Sequence, residues 1–512
     1  MTEATVTKKS KNPKAPKLFP DDLIDQLLAQ VSIRISRFYR LLSCLLFTTT
    51  EMNVSDQNLL NRSTPQQLAA YFLARTGCEH PPPIRIYRND TPSLVGAVPE
   101  FADMGAVLIA YPGSIKPPIG HSQEPPSGPR SFGIPSEMII RMQQNDTATP
   151  VHILVMCADV AQRDIILRDL QQTADKLSLK FNPDHLQLVG WDTDTFWTRD
   201  YGPWWVYDPK NDTYAIAKHT HTTMGGGAVG FVEGAEKANP LVGLGIFRPN
   251  DDYGAVKLSD FLNGPIRKWN TATWPGDRKQ PQIAVHDWYY LGLLNVGGNF
   301  MVNGKGVVAS TYLAVTQNEG PGSAYGEMAE VVDKRAEYIL SQLNRFMGLH
   351  TYHVLSDPTG TYIEHIDCWG KFLAEDKVLV ASSQDQKTNQ AFDAIAASFE
   401  KEDFKVYRVL CQDIYVPNAK MPATTAAYTN SLILNHHVYV PISGRGYENY
   451  DRQALSVYKE ALPDYTVVGI AGKPEFPWLG TDAVHCRTRA IPRKVIDNWQ
   501  AALHGAPPWS RS

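Results

Sequence analysis

The stretch FMVNGKGVVAS, residues 300–310, is two apolar strands joined by a polar turn, and the same pattern returns elsewhere in the chain with little identity. WWVYDPKNDTYAIAK (204–218), KFLAEDKVLVAS (371–382) and LILNHHVYVPI (432–442) share its form. Each hairpin from 300–310 onward is followed by a segment of helical apolar spacing, at 326–344, 389–400 and 451–463. A further strand closes each unit: TYHVL (351–355), KVYRVL (405–410) and YTVVGIA (465–471). Hairpin, helix and strand make a ββαβ unit, which cannot bury its helix face alone. The repeats are therefore expected to pack around a shared centre in an α/β fold.

Polar side chains fall at matching places on these units. Asp200 lies just before the first hairpin, Asn299 at the mouth of the second, His365 and Asp367 before the third and Asn430 before the fourth. If the units are arranged radially, these residues converge on a central polar site. Outward from the repeat, the first strong core strand is GAVLIAYP (105–112), and a Pro, Gly and Ser-rich stretch between Pro112 and Pro135 reads as a long surface loop. Residues 21–46 have helical apolar spacing, whereas residues 1–20 carry five lysines and almost nothing apolar. The expected organisation is a disordered basic tail at 1–20, a partly helical N-terminal extension at 21–97 and a catalytic domain at 98–505.

Composition bounds the function. The 512-residue chain is 43% hydrophobic and 20% charged with a formal net charge of -4, which gives no reason to expect nucleic-acid binding but tolerates a cationic ligand. Its six cysteines are scattered without a CxxC pair or a Cys/His cluster at ligand spacing, so neither a metal site nor a disulfide framework is expected, and no cofactor is indicated. The apolar run Leu41–Phe47 is too short to span a bilayer. That run lies behind a polar lead unlike a standard signal peptide, which favours a cytoplasmic location. Five N-x-S/T sequons, at Asn53, Asn61, Asn89, Asn145 and Asn211, keep a secretory route open.

Each chemical motif is modest alone. WTRDYGPWW (197–205) reads equally well as a buried aromatic turn with Arg199 and Asp200 paired. HIDCWGKF (365–372) would put His365 and Asp367 on one face if the backbone is extended, with Cys368 on the other. In GTDAVHCRT (480–488), Cys486 could be an inert buried thiol, the commoner fate of cysteine. Asn430 could merely hydrogen-bond a strand end. Their joint placement at repeat junctions raises all of them. Two carboxylates, an imidazole and a thiol around one centre suit a guanidinium ion, which is planar, cationic and presents paired N–H donors. Asp200 and Asp367 would hold it in line for attack by Cys486, while His365 would protonate departing ammonia and then activate water against the covalent thiouronium.

In this order, the motifs around Asp200, His365 and Asp367, Asn430 and Cys486 resemble the bacterial peptidylarginine deiminases of the Porphyromonas type, within the guanidino-group-modifying superfamily that includes agmatine deiminase. PEFADMGAVLIAYP (99–112) also looks like the start of such a domain, so the resemblance covers about 98 to 505. It implies a five-bladed α/β-propeller of pseudo-fivefold symmetry, the pentein fold. The implied activity is hydrolysis of a guanidine C–N bond, converting peptidyl-arginine to peptidyl-citrulline and ammonia without calcium. The implied roles are guanidinium binding for Asp200 and Asp367, proton transfer for His365, positioning for Asn430 and nucleophilic attack for Cys486, with Trp197 and Tyr362 along the arginine stem. Two features depart from the family. An arginine pair that grips the carboxylate of a C-terminal arginine is missing from AKHTHTTMGGG (217–227), so internal arginines of peptides and proteins are expected as substrates. The bacterial enzyme continues into an immunoglobulin-like module beyond the catalytic cysteine, whereas 26 residues follow Cys486 here, and the N-terminal extension has no family counterpart. The alternatives are a deiminase of agmatine or another small guanidine, a Cys-His-Asp acyl hydrolase, which leaves the second carboxylate without a role, and a non-catalytic binding protein on the same fold.

Overall fold

The computed structural model describes residues 84–87, 96–112, 130–144, 150–221, 249–267, 283–318, 328–359, 363–415, 423–444, 446–472, 478 and 482–505. The expected basic tail, the helical segment at 21–46, most of the Pro-rich loop, and Tyr362 lie outside these residues.

All four hairpins read from the sequence form, and in each unit the closing strand runs parallel to the second hairpin strand. Parallel neighbours need a crossover, and the helices supply it. Met328–Met347, Gln386–Glu400 and Glu448–Ala461 fill this place in three units. In the first unit Gly254–Arg267 does so before Trp288–Asn295 returns to the sheet. Gln386–Glu400 shows why such a segment becomes a helix. Asp385 caps it by accepting the Thr388 amide at 2.8 Å, and Ala391, Phe392, Ile395, Ala396 and Phe399 recur every three or four residues as its buried face.

A further sheet was only half visible in the sequence. Met104–Ala110, buried at every position, pairs in parallel with His152–Met156 and antiparallel with Arg489–Pro492, with Ala490 opposite Val107. A strand covered on both faces reads as a continuous apolar run, and this one does. The described strands thus form five sheets of three or four strands and one two-stranded pair. The extension contributes to two of them. Ile84–Tyr87 adds an antiparallel edge to Thr351–Leu355, and Gly96–Ala97 pairs with Trp204–Asp208.

Before the first hairpin strand of each sheet comes a single tight turn. These turns are Thr198–Tyr201, Gly297–Asn299, Ile366–Cys368, residues 428–430 and residues 484–487. They touch one another in a closed cycle. A Cβ on Gly297 would lie 1.9 Å from the Arg199 carbonyl oxygen, so only glycine lets the first two turns meet. Asn299 Oδ1 accepts the Ile366 amide at 3.2 Å, linking the second to the third. Thr429 Oγ1 donates to the Cys368 carbonyl at 2.7 Å, and Asn430 Oδ1 accepts the Cys486 amide at 3.2 Å. The Arg199 amide donates to the Cys486 carbonyl at 3.1 Å and closes the cycle.

Candidate active site

Asp200, His365, Asp367, Asn430 and Cys486 all stand on this ring of turns, and all are buried. Gly298 marks the space they surround. A Cβ built there would meet His365 Nδ1 at 2.7 Å, Asp200 Oδ1 at 3.1 Å and Asp367 Oδ2 at 3.1 Å. The imidazole and both carboxylates therefore face one small volume, which a side chain at position 298 would fill. Cys486 Sγ lies 3.6 Å from Asp367 Oδ2.

Asn430 holds the thiol in place. Its Oδ1 accepts the amides of Ala483 (3.1 Å), His485 (3.0 Å) and Cys486 (3.2 Å), which folds the segment around the cysteine over one oxygen. Its Nδ2 donates to Cys486 Sγ at 3.1 Å and to the Asp367 carbonyl at 3.3 Å. Asn299 fixes the other side, its Oδ1 also accepting the amide and hydroxyl of Thr311.

One local expectation is corrected. The backbone at HIDC is not a strand: His365 is extended at φ -84° and ψ 137°, but Ile366–Cys368 is a 3-10 turn. Alternation therefore does not turn Cys368 away, and its Sγ lies 3.7 Å from Asp367 Oδ1. What separates the two thiols is the grip of Asn430 on Cys486.

Burial, then Asp367, Asp482 and Asp200, push the Cys486 thiol well above its ordinary range, with the Asn430 hydrogen bond opposing. The resting thiol is protonated and aimed at a carboxylate. Burial also raises the thiols of Cys157, Cys368 and Cys411, the last to about 12, so a low pKa is not what distinguishes Cys486. For Asp367, burial favours the neutral acid, but the hydrogen bond to His485, with His485, His365 and Arg199 as neighbours, holds the carboxyl below its usual value, while burial, then Arg199 and Lys371, lower His485 itself against the pull of its two carboxylates. Glu364, adjacent to His365 at φ 49°, is pushed up to about 9 by burial and then by Asp357.

Beneath the ring lies a charged layer that motif reading did not anticipate. His485 bridges two carboxylates, Nδ1 to Asp367 Oδ2 at 2.7 Å and Nε2 to Glu100 Oε2 at 2.6 Å. Glu100 also accepts from Lys371 Nζ at 3.0 and 3.1 Å and from the Ile433 amide at 2.7 Å, and it pairs with Arg199 at 3.5 Å. Burial opposes its ionisation, but Lys371, His485 and Arg199 hold it well below the carboxylate range. Asp200 has its own support in His219, whose Nε2 lies 3.0 Å from the Asp200 carbonyl and must donate to it. Burial, then Lys218, lowers His219 to about 3, so it stays neutral. Trp197 leads into the first turn, partly buried, with its ring against Phe196 at 5.0 Å. Phe196 in turn carries the Arg487 guanidinium at 4.6 Å, next to the cysteine in sequence.

Solved structures share this architecture. An agmatine deiminase of Enterococcus faecalis superposes with a TM-score of 0.54 at 18% identity, covering 80% of this chain and 100% of that one. A Porphyromonas gingivalis protein assigned as an arginine deiminase gives 0.50 at 18% identity, covering 80% and 99%. In sequence, a Legionella pneumophila (strain Paris) protein assigned as an agmatine deiminase is 24% identical over 217 residues, 40% of this chain. The chain spans 58% of that relative's length. The model of the Porphyromonas-type peptidyl-arginine deiminase family matches residues 99–492, from the residue before Glu100 to the end of the strand after Cys486. The chain belongs to the Porphyromonas-type peptidyl-arginine deiminase family.

Proposed function

We propose that the chain is a deiminase that hydrolyses the guanidine C–N bond of arginine in peptides and proteins, giving peptidyl-citrulline and ammonia. The observation that carries this reading is the space beside Gly298, faced by two carboxylates and an imidazole with a thiol at its edge. A guanidinium there meets a bidentate acceptor on either side, each charge-assisted bond contributing about 1.5–3 kcal/mol. The same cation offsets the negative charge that keeps Cys486 protonated, so binding substrate favours the thiolate. Cys486 passes its proton to His365, the thiolate attacks the central guanidine carbon and a C–S bond forms. One C–N bond then breaks as His365 protonates the leaving ammonia. His365 next takes a proton from water that adds to the thiouronium carbon, the C–S bond breaks to release the ureido product, and the proton returns from His365 to Cys486. Asn430 Nδ2, 3.1 Å from Sγ, stabilises the thiolate as nucleophile and leaving group. Trp197 and Tyr362 are proposed to line the aliphatic stem.

The architecture we infer for residues 98–505 is a five-bladed α/β-propeller, supported by the five sheets and the cycle of turns. The reading that internal arginines are accepted is supported by Lys218, the described cation nearest the missing arginine pair in sequence. Its Nζ is tied to Asp252 at 2.8 Å and to the His219 carbonyl, so it is not available for a substrate carboxylate. Relatives assigned as agmatine deiminases favour a second reading, in which the substrate is a free small guanidine. Acetylated peptides with one internal or one C-terminal arginine, compared with agmatine, separate them. Product from the internal-arginine peptide supports the proposal, and product from agmatine alone overturns it.

A further inference from the structure

The short contacts of His485 fix a hydrogen count. Its Nδ1 lies 2.7 Å from Asp367 Oδ2 and its Nε2 2.6 Å from Glu100 Oε2. A carboxylate oxygen accepts, and a bare ring nitrogen facing it would repel it, so each contact needs a hydrogen of its own. Two carboxylates and one ring therefore share two hydrogens, one more than a neutral imidazole brings, and the unit carries a single net negative charge. His485 and Asp367 are buried. Arg199 and Lys371 lie near the imidazole and Glu100 alike. Asp367 is faced from its other side by Cys486 Sγ at 3.6 Å, Cys368 Sγ at 3.7 Å and His365, with Asp200 across the Gly298 space. Of the donors that reach its carboxylate among the described residues, the two thiols are weak, which leaves the His485 Nδ1–H as the strong one.

We infer that His485 is a positioning residue for guanidine hydrolysis, turning the Asp367 carboxylate toward the guanidinium and keeping it ionised while Glu100 holds the imidazole in that pose. The inference rests on the proposed function, with the guanidinium beside Gly298. Asp367 Oδ2 carries three contacts at once: the His485 hydrogen bond, the Cys486 thiol and, at 3.1 Å, the Cβ position of Gly298. One oxygen thus joins the imidazole to the thiol and to the substrate space. Glu100 is fixed independently, by Lys371 Nζ at 3.0 and 3.1 Å and by the Ile433 amide at 2.7 Å, so the imidazole is held from an anchored side. The largest influence on Asp367 is burial, which favours the neutral acid, and the His485 bond is the first to oppose it. Without His485 the carboxyl takes up a proton at higher pH and offers the cation no charge.

The test uses the full chain and whichever substrate, agmatine or arginine peptide, the wild type turns over. It compares His485→Gln, whose amide can still donate to Asp367, with His485→Leu, which cannot. At neutral pH His485→Leu is expected to lose kcat/KM by about 10- to 100-fold, the size of one charge-assisted hydrogen bond, mainly through KM. The acid limb of its kcat/KM profile should move to higher pH by on the order of one unit, a shift that a merely structural loss does not produce. His485→Gln should recover part of both effects. If neither variant folds, histidine nitrogen NMR of Cys486→Ala decides: both ring nitrogens of His485 should bear or share a hydrogen, and their signals should move when the guanidinium ligand binds. Unchanged acid limbs in the folded variants, or His485 signals indifferent to bound ligand, overturn this inference alone. A wild type that turns over no guanidine overturns the functional reading and this inference with it.

Discussion

Replacing Asn430 separates the scaffold's role from the chemistry. In Asn430→Ala the amides of Ala483 and Cys486 lose their acceptor, while the His485 amide retains the Asn430 backbone carbonyl at 3.0 Å. Two buried amides left unbonded cost about 1–3 kcal/mol each, so a loss of roughly 2–6 kcal/mol is expected. With an unfolding entropy of about 2.1 cal/mol/K per residue, a domain of roughly 400 residues converts this to a fall in Tm of about 2–7 °C. In Asn430→Asp those amides keep an oxygen acceptor, now charged, so Tm should stay near that of the wild type. The cost moves to the reaction. A carboxylate takes the place of the donor 3.1 Å from Cys486 Sγ. At an effective dielectric of about 20, two like charges at that distance repel by about 5 kcal/mol, enough to reduce kcat on the order of 1,000-fold or more. Melting and steady-state ureido production measured on both variants check the reasoning. An Asn430→Asp enzyme with wild-type kcat would refute it, as would an Asn430→Ala protein with unchanged Tm.

Two further outcomes follow from the same geometry. Gly298→Ala places a methyl 2.7 Å from His365 Nδ1 and in the volume assigned to the guanidinium, so kcat/KM should fall at least 100-fold; a variant that binds and turns over normally moves the substrate elsewhere. Burial lowers His152 and His353 to about 4 and His219 to about 3, against about 6.5 in the unfolded chain. The unfolded chain therefore gains protons first as the pH falls. Stability is intact above about 6.5 and declines toward 4, by on the order of 2 kcal/mol per histidine at pH 5, and a urea midpoint that is flat from pH 7.5 to 5 contradicts this.

The hairpins, crossover helices and polar junctions were legible because each is written locally, as alternation, helical spacing or a turn residue. Legibility stopped where structure depends on distant partners. The run 105–112 reads as a strand, but nothing local announces that Arg489–Pro492 lies against it. HIDC is a turn rather than extended because its conformation is set by tertiary bonds, Asn299 to Ile366 and Thr429 to Cys368. Glu100, Lys371 and His485 come from three remote segments, so their union has no sequence signature. Gly297 and Gly298 did carry a signal, an adjacent glycine pair at a repeat mouth, whose meaning is steric. The first unit's helix is separated from its hairpin by the Gly-rich segment after His221, which breaks the repeat pattern.

Attack of a cysteine on a guanidine carbon is the central step, and Cys486→Ala tests it most directly. An acetylated peptide with one internal arginine is incubated with wild type and variant, ammonia and ureido product are quantified together, and circular dichroism confirms that the variant is folded. Equal amounts of ammonia and citrulline from the wild type, with none from Cys486→Ala, are expected; citrulline formed at the wild-type rate by the folded variant contradicts the mechanism.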